Sequence, residues 1–132
     1  MRYLVTGGAG FIGSHLCDNL ISKGHHVVCL DNFVTGSKKN IERLINNDNF
    51  QLIQASVTES LHISKVDGIF HLASPTDPVK VREYASLTLE SNIVGTSILL
   101  NEAKNQNASF LFVSSVRVFD AFTTNYNKSK KI

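Results

Sequence analysis

Short apolar runs alternate along the chain with stretches whose apolar residues recur at helical spacing. Tyr3–Thr6 is a short apolar run that stops at glycine, which predicts a buried strand. Phe11, Ile12, His15, Leu16, Asn19 and Leu20 follow with helical spacing, and Gly24 stands where a helix C-cap belongs. His26–Leu30 is a second strand ending at Asp31, Asn32–Ser37 reads as loop, and Lys38–Ile45 as a short amphipathic helix. Phe50–Gln54 and Gly68–Leu72 give the third and fourth strands. Val79–Gln106 carries the longest helical pattern, with Leu87, Ile93, Val94, Ile98, Leu99 and Ala103 mostly on one side and Gly95 placed for close packing. Phe110–Val113 is uniformly apolar, as a central parallel strand is. Strands alternating with helices predict an α/β domain with right-handed crossovers.

At 132 residues the chain has the length of one domain. An apolar fraction of 42% and a charged fraction of 18% are those of an ordinary globular protein. A net charge of +2 gives no footprint for nucleic acid or for an anionic membrane. Lys128, Lys130 and Lys131 cluster near the C-terminus and read first as a solvated helix end. Two cysteines, Cys17 and Cys29, make neither a disulfide framework nor a metal site, and both read as buried free thiols. His15, His25, His26, His62 and His71 show no metal-ligand spacing, so no metal is expected. No signal peptide precedes the first strand and no run is long enough to span a membrane, so the expected compartment is the cytoplasm.

The segment Thr6-Gly7-Gly8-Ala9-Gly10-Phe11-Ile12-Gly13 supplies the strongest chemical signal. Its glycines recur at three-residue intervals directly after a strand and at the opening of a helix. Gly7 permits a tight turn, Gly10 lets a pyrophosphate approach the backbone, and Gly13 lets the helix pack closely. The helix end presents free N–H groups to the phosphates. Asp31 closes the second strand where a carboxylate would accept both ribose hydroxyls and repel a 2′-phosphate, so NAD is favoured over NADP. Lys38 and Lys39 soften that preference. Together these features predict a minimal Rossmann fold, a doubly wound, mostly parallel sheet of about five strands in the order 3-2-1-4-5.

TGGAGFIGSHLCDNLISKGHHVVCLDNFVTGSKKNIERL resembles the opening of the extended short-chain dehydrogenase/reductase superfamily, the NAD-dependent epimerases and dehydratases. Within it the DNF-x-TGSK-x-NIE stretch and HLAS-P-x-x-P at residues 71–78 are most similar to the UDP-glucuronate decarboxylases, also called UDP-xylose synthases. The resemblance implies that Phe11 and Ile12 line the pyrophosphate turn, and that Asp31, Asn32, Phe33, Thr35 and Gly36 surround the adenosine ribose. Ser56 and Val57 fall at the adenine, although Ser56 stands where the family has an aspartate. Leu72 and Ala73 would pass beneath the nicotinamide-side ribose, and Asn92 matches an asparagine that supports the active site. Ser115 takes the place of the family's catalytic serine or threonine, and Tyr126 and Lys130 form its Tyr-x-x-x-Lys pair, which also reaches the cofactor. By this resemblance Tyr126 removes a sugar hydroxyl proton, the nearby lysine ammonium favouring phenolate, while NAD takes hydride from the same carbon. The resulting 4-keto sugar loses its adjacent carboxylate as CO2, a lyase reaction.

Other positions depart from the family. Arg117 replaces a glutamate thought to assist decarboxylation, Leu87 replaces a lysine usually near the cofactor, and the loop between Phe119 and Tyr126 is short. Residues 1–132 are expected to form a single NAD-binding domain without a separate substrate domain. Two functions therefore stand, beside a third alternative in which the chain is a truncated, unselected remnant. One is an NAD-dependent enzyme on a nucleotide sugar, UDP-glucuronate first, with reduced activity. The other is a module that holds NAD without sugar turnover. A homodimer through helix 79–106 is the expected assembly.

Overall fold

The computed structural model describes residues 1–59, 63–119 and 125–131. Five strands form one parallel sheet: β1 (Arg2–Thr6), β2 (His26–Asp31), β3 (Phe50–Gln54), β4 (Gly68–His71) and β5 (Ser109–Phe112). Their order, β3-β2-β1-β4-β5, is the doubly wound order expected from the sequence. Alternate residues of one strand serve opposite faces. Val5 and Cys29 join Cys17 and Leu20 of helix α1 (Phe11–Ser22) in one core. Leu4, Val28, Leu30 and Ile69 join Leu99 and Ala103 in the other. Burial on both faces explains why β1 and β2 read as continuous apolar runs. Helix α1 ends at Gly24, whose φ of +78° suits the left-handed cap position predicted for it.

The helical stretch 79–106 is not one helix. It comprises α2 (Pro78–Glu83), α3 (Ala85–Glu90), a π turn (Ser91–Gly95) and α4 (Thr96–Gln106). The break falls at Tyr84, at φ −114° and ψ 42°. Asp77 caps α2, its carboxylate accepting the Val79 and Lys80 N–H groups at 2.9 and 3.1 Å. The expected apolar side is also divided. Leu99 and Ala103 are buried with Thr88, Asn92 and Thr96, while Leu87, Ile93, Val94 and Ile98 are exposed. Gly95 does provide close packing: a Cβ there would lie 2.5 Å from Val57 Cγ2.

Two further expectations are corrected. Lys38–Ile45 forms two 3-10 turns, Lys38–Asn40 and Glu42–Leu44, because Ile41 adopts φ −116°, ψ 4° between them. Ile41 and Leu44 are nonetheless buried, which accounts for the amphipathic pattern. β5 pairs only with β4, so it is an edge strand, and Leu111 is exposed on it. A 3-10 turn (Val116–Phe119) and helix α5 (Asn125–Ser129) follow β5. No helix among the described residues is long and apolar enough to cross a membrane.

Candidate functional site

The β1–α1 turn is built by its glycines. Gly7 takes φ +69°, and its N–H donates to the Leu30 carbonyl at 2.8 Å, tying the turn to β2. A Cβ at Gly7 would lie 2.9 Å from the Ala73 N and Cα, so this turn and the β4 exit are in backbone contact. A Cβ at Gly13 would overlap the Gly7 carbonyl oxygen; this glycine packs the helix against the turn itself. Gly10 differs from both. Among the described residues a Cβ at Gly10 would meet the Gly7 carbonyl oxygen alone, at 3.1 Å, and the residue lines a cavity of about 530 Å³. Gly10 is also the N-cap of α1 and offers no capping side chain, and the first turn holds no acidic residue. No side chain among the described residues caps the first amides of α1, and Gly10, Phe11, Ile12 and Gly13 all line the cavity. Such an end suits an anion, and the space over Gly10 suits a phosphate.

Asp31 closes β2 at the same cavity. Its Oδ2 accepts the Ala9 N–H at 2.9 Å and its Oδ1 the Phe33 N–H at 2.8 Å, which fixes the carboxylate in place. A Cβ at Gly36 would fall 2.7 Å from Asp31 Oδ1, so only glycine lets the following loop close over it. Each carboxylate oxygen keeps a further lone pair for a ligand hydroxyl.

Twelve of the residues expected at the cofactor line this cavity: Gly7, Gly10, Phe11, Ile12, Gly13, Asp31, Asn32, Thr35, Gly36, Val57, Leu72 and Ala73. Phe11 and Ile12 are exposed, unusual for apolar residues of a first helical turn and consistent with a binding wall. Phe33, Ser56, Asn92, Ser115, Tyr126 and Lys130 do not line it. Phe33 takes φ +59° and packs against the core instead. Ser56 Oγ lies 2.8 Å from Thr58 Oγ1, and its N–H donates to Glu59 Oε1 at 2.7 Å, so it is occupied within its own turn. The lining also includes residues not predicted as site residues from the sequence, among them Ser74, Thr76, Asp77 and Lys80. Leu87, at the family's lysine position, lines the cavity too.

Of Ser115, Tyr126 and Lys130 none lines the cavity, and Lys130 is bonded to Val113, which does. Ser115 is half-buried after β5, and Tyr126 is half-buried in α5. Lys130 is only 5% exposed, which corrects its reading as part of a solvated cluster, whereas Lys128 and Lys131 are exposed. The Lys130 Nζ donates to the Val113 carbonyl at 3.1 Å and sits 4.6 Å from the centre of the Phe112 ring. Burial pushes its ammonium down to about 8. The Arg117 side chain, residues 120–124 of the short loop, and His62 lie outside the described residues.

Asn92 connects α5 to the π turn. Its Nδ2 donates to Ser129 Oγ at 2.8 Å, and that hydroxyl donates to the Tyr126 carbonyl at 2.8 Å. The spacing of Thr88, Asn92 and Thr96, four residues apart on an otherwise apolar helix face, is the signal that a polar site lies beneath α3 and α4. Cys17 and Cys29 are buried free thiols, as expected, and contact between them together with burial pushes the Cys29 thiol up. No cluster of three or more His, Cys, Asp or Glu side chains that could hold a metal occurs among the described residues.

The chain is similar in sequence to UDP-glucuronic acid decarboxylase 1 of Danio rerio, with 47% identity over 118 residues, covering 89% of this chain and 28% of that protein. UDP-glucuronic acid decarboxylase 4 of Arabidopsis thaliana is 44% identical over 119 residues, covering 90% of this chain and 27% of the relative. The chain thus spans under a third of the length of these relatives. Among solved structures it resembles the dTDP-glucose 4,6-dehydratase DesIV of Streptomyces venezuelae, determined with NAD bound. That match has a TM-score of 0.85 at 26% identity and covers 98% of this chain and 48% of the other. A UDP-galactose 4-epimerase matches with a TM-score of 0.81 at 30% identity over the same shares. With the glycine turn, the fixed aspartate and the strand order in agreement, and with the family model matching residues 3–131, the chain belongs to the NAD dependent epimerase/dehydratase family.

Proposed function

We propose that this chain binds NAD along the cavity and serves an NAD-dependent reaction on a nucleotide sugar, of the UDP-glucuronate decarboxylase type. One observation carries the reading: a single cavity runs from the fixed Asp31 carboxylate, over the open Gly10 and the uncapped α1 amides, to Ala73 at the β4 exit. Asp31 holds the adenosine ribose and excludes a 2′-phosphate by like charge. The α1 amides hold the pyrophosphate, and Leu72 and Ala73 form the floor beneath the second ribose. Bound NAD supplies a reversible hydride acceptor for the sugar carbon. Tyr126 takes the sugar hydroxyl proton, Ser115 holds the sugar, and Lys130 is the cation behind them. The protein is proposed to act in the cytoplasm as a homodimer.

A second reading is favoured by a specific observation. Lys130 is committed to the Val113 carbonyl and the Phe112 ring, and none of Ser115, Tyr126 and Lys130 lines the cavity. A module that holds NAD without turning over a sugar fits that arrangement. Purified protein incubated with NAD and UDP-glucuronate, with products followed by mass spectrometry, separates the two. CO2 and UDP-xylose are expected from the enzyme. NAD bound at the cavity with no sugar product would leave the module, and no NAD binding would overturn both.

A further inference from the structure

A chain of buried polar groups crosses the molecule beneath the cavity, and every proton in it can be assigned. Thr6 Oγ1 accepts the Ala73 N–H at 3.2 Å and lies 2.7 Å from His71 Nδ1. On the other side of the imidazole, His71 Nε2 lies 3.0 Å from Thr96 Oγ1, and that hydroxyl lies 2.6 Å from the Asn92 carbonyl. A carbonyl can only accept, so the single Thr96 hydroxyl proton goes to Asn92 and Thr96 must accept from the ring. Burial pushes the His71 imidazole down to about 4, so the neutral ring carries its one proton on Nε2 and leaves Nδ1 as acceptor for the Thr6 hydroxyl proton. Asn92 continues the chain through its side-chain amide, the Ser129 hydroxyl and the Tyr126 carbonyl. Thr6, His71, Asn92 and Thr96 are each at most 1% exposed, so no water competes for these bonds.

The two ends have different tasks. Ala73 lines the cavity and abuts the Gly7 turn, while Tyr126 belongs to α5. We propose that neutral His71, held as the Nε2–H tautomer between Thr6 and Thr96, is a positioning residue that sets the cofactor floor at Ala73 against the π turn and the helix carrying Tyr126. The proposal rests on the NAD reading above and adds residues that touch no ligand. Thr96 is the useful probe because it is remote from the cavity walls yet completes the assignment. Removing its hydroxyl takes one acceptor from the ring and one donor from the Asn92 carbonyl, and the imidazole, left with the Ser91 backbone, shifts toward it and moves the β4 exit.

The test measures NAD affinity by calorimetry, well below the unfolding temperature, for wild type, Thr96→Val and Thr96→Ser. Thr96→Val should weaken NAD binding roughly tenfold, and Thr96→Ser, which keeps the hydroxyl, should restore it to near the wild-type value. A purely structural role would lower the melting temperature of both variants without this split in affinity. Wild-type binding with unaltered affinity in folded Thr96→Val overturns the proposal alone, while absence of NAD binding by the wild type overturns the cofactor reading and the proposal with it. Nitrogen-15 shifts of the His71 ring in the wild type give a readout independent of variants and of NAD. A protonated Nε2 and a bare Nδ1 near neutral pH are expected, and the opposite tautomer overturns the assignment.

Discussion

At Lys130, burial and chemistry pull against each other. The ammonium is enclosed by β5 and α5 with one carbonyl and one aromatic face for company, and burial holds it near 8 against an ordinary 10.5. Below about pH 8 both the folded and the unfolded chain carry the proton, and the folded state bears the full desolvation cost. Between about 8 and 10.5 the unfolded chain holds a proton that the folded chain has released, so stability rises with pH through this window. The gain is on the order of 3 kcal/mol at most. Lys130→Met should abolish that slope and, after loss of the Val113 contact, stabilise the protein at neutral pH by about 1 kcal/mol. Urea unfolding of both proteins at about pH 7 and about pH 10 checks this; equal slopes would show that the ammonium is not desolvated. Gly10 and Gly13 make a complementary pair. Gly10→Ala should fold with a small adjustment at the Gly7 carbonyl, and Gly10→Val should weaken NAD binding at least tenfold while remaining folded. Gly13→Ala should lower stability by about 2 kcal/mol or more, since its Cβ meets backbone. Melting curves and NAD titrations of the three variants separate ligand space from packing space. The glycine roles were legible in the sequence because spacing fixes them, whereas the burial of Lys130 was not, since its two exposed lysine neighbours disguise it.

At the scale of elements, the π turn has the most consequence. It carries Asn92 at the inner face and lets Gly95 approach Val57 closely. Gly95→Ala should cost about 1–3 kcal/mol, because its Cβ would meet Val57 at both Cγ2 and Cβ and force that side chain toward the cavity it lines. Val57→Ala in the same chain should return much of that loss, a coupling that a double-mutant cycle of unfolding free energies would measure. Additive effects would show that the contact is not what fixes the glycine. β1, α1 and β2 could be read from the chain because a strand, a glycine turn and an amphipathic helix each leave a strong periodic mark. The segmentation of residues 78–106 left none. Tyr84 bends the backbone without glycine or proline, and the inward face changes from Thr88, Asn92 and Thr96 to Leu99 and Ala103 along its length. The edge position of β5 is contained in the predicted order 3-2-1-4-5, whereas its apolar run by itself points to a central strand, since such a run does not say how many neighbours the strand has.

Across the whole molecule, the π turn and α4 leave apolar side chains exposed. Ile93, Val94, Ile98 and Leu100 are 37–54% exposed, while Thr88, Asn92 and Leu99 are buried. Exposed apolar side chains scattered singly are ordinary, but four within eight residues of one helical stretch make a patch of the kind that marks an interaction surface. The proposed homodimer covers it most simply: a twofold axis beside Val94 and Ile98 would lay the face of one copy on the same face of another. Ser97, Glu90 and Asn101 interrupt the patch, so the association should be modest. Sedimentation velocity over a concentration series should show a monomer–dimer equilibrium. Val94→Glu combined with Ile98→Glu should shift it to monomer, because two like-charged pairs would face each other across the axis. The double variant should also keep the wild-type melting temperature under monomeric conditions to within about 2–4 °C, since neither side chain is in the core. NAD affinity should be retained as well, as neither residue lines the cavity. A wild-type protein that stays strictly monomeric at high concentration would remove the dimer, and a double variant that still dimerises would move the interface away from this face.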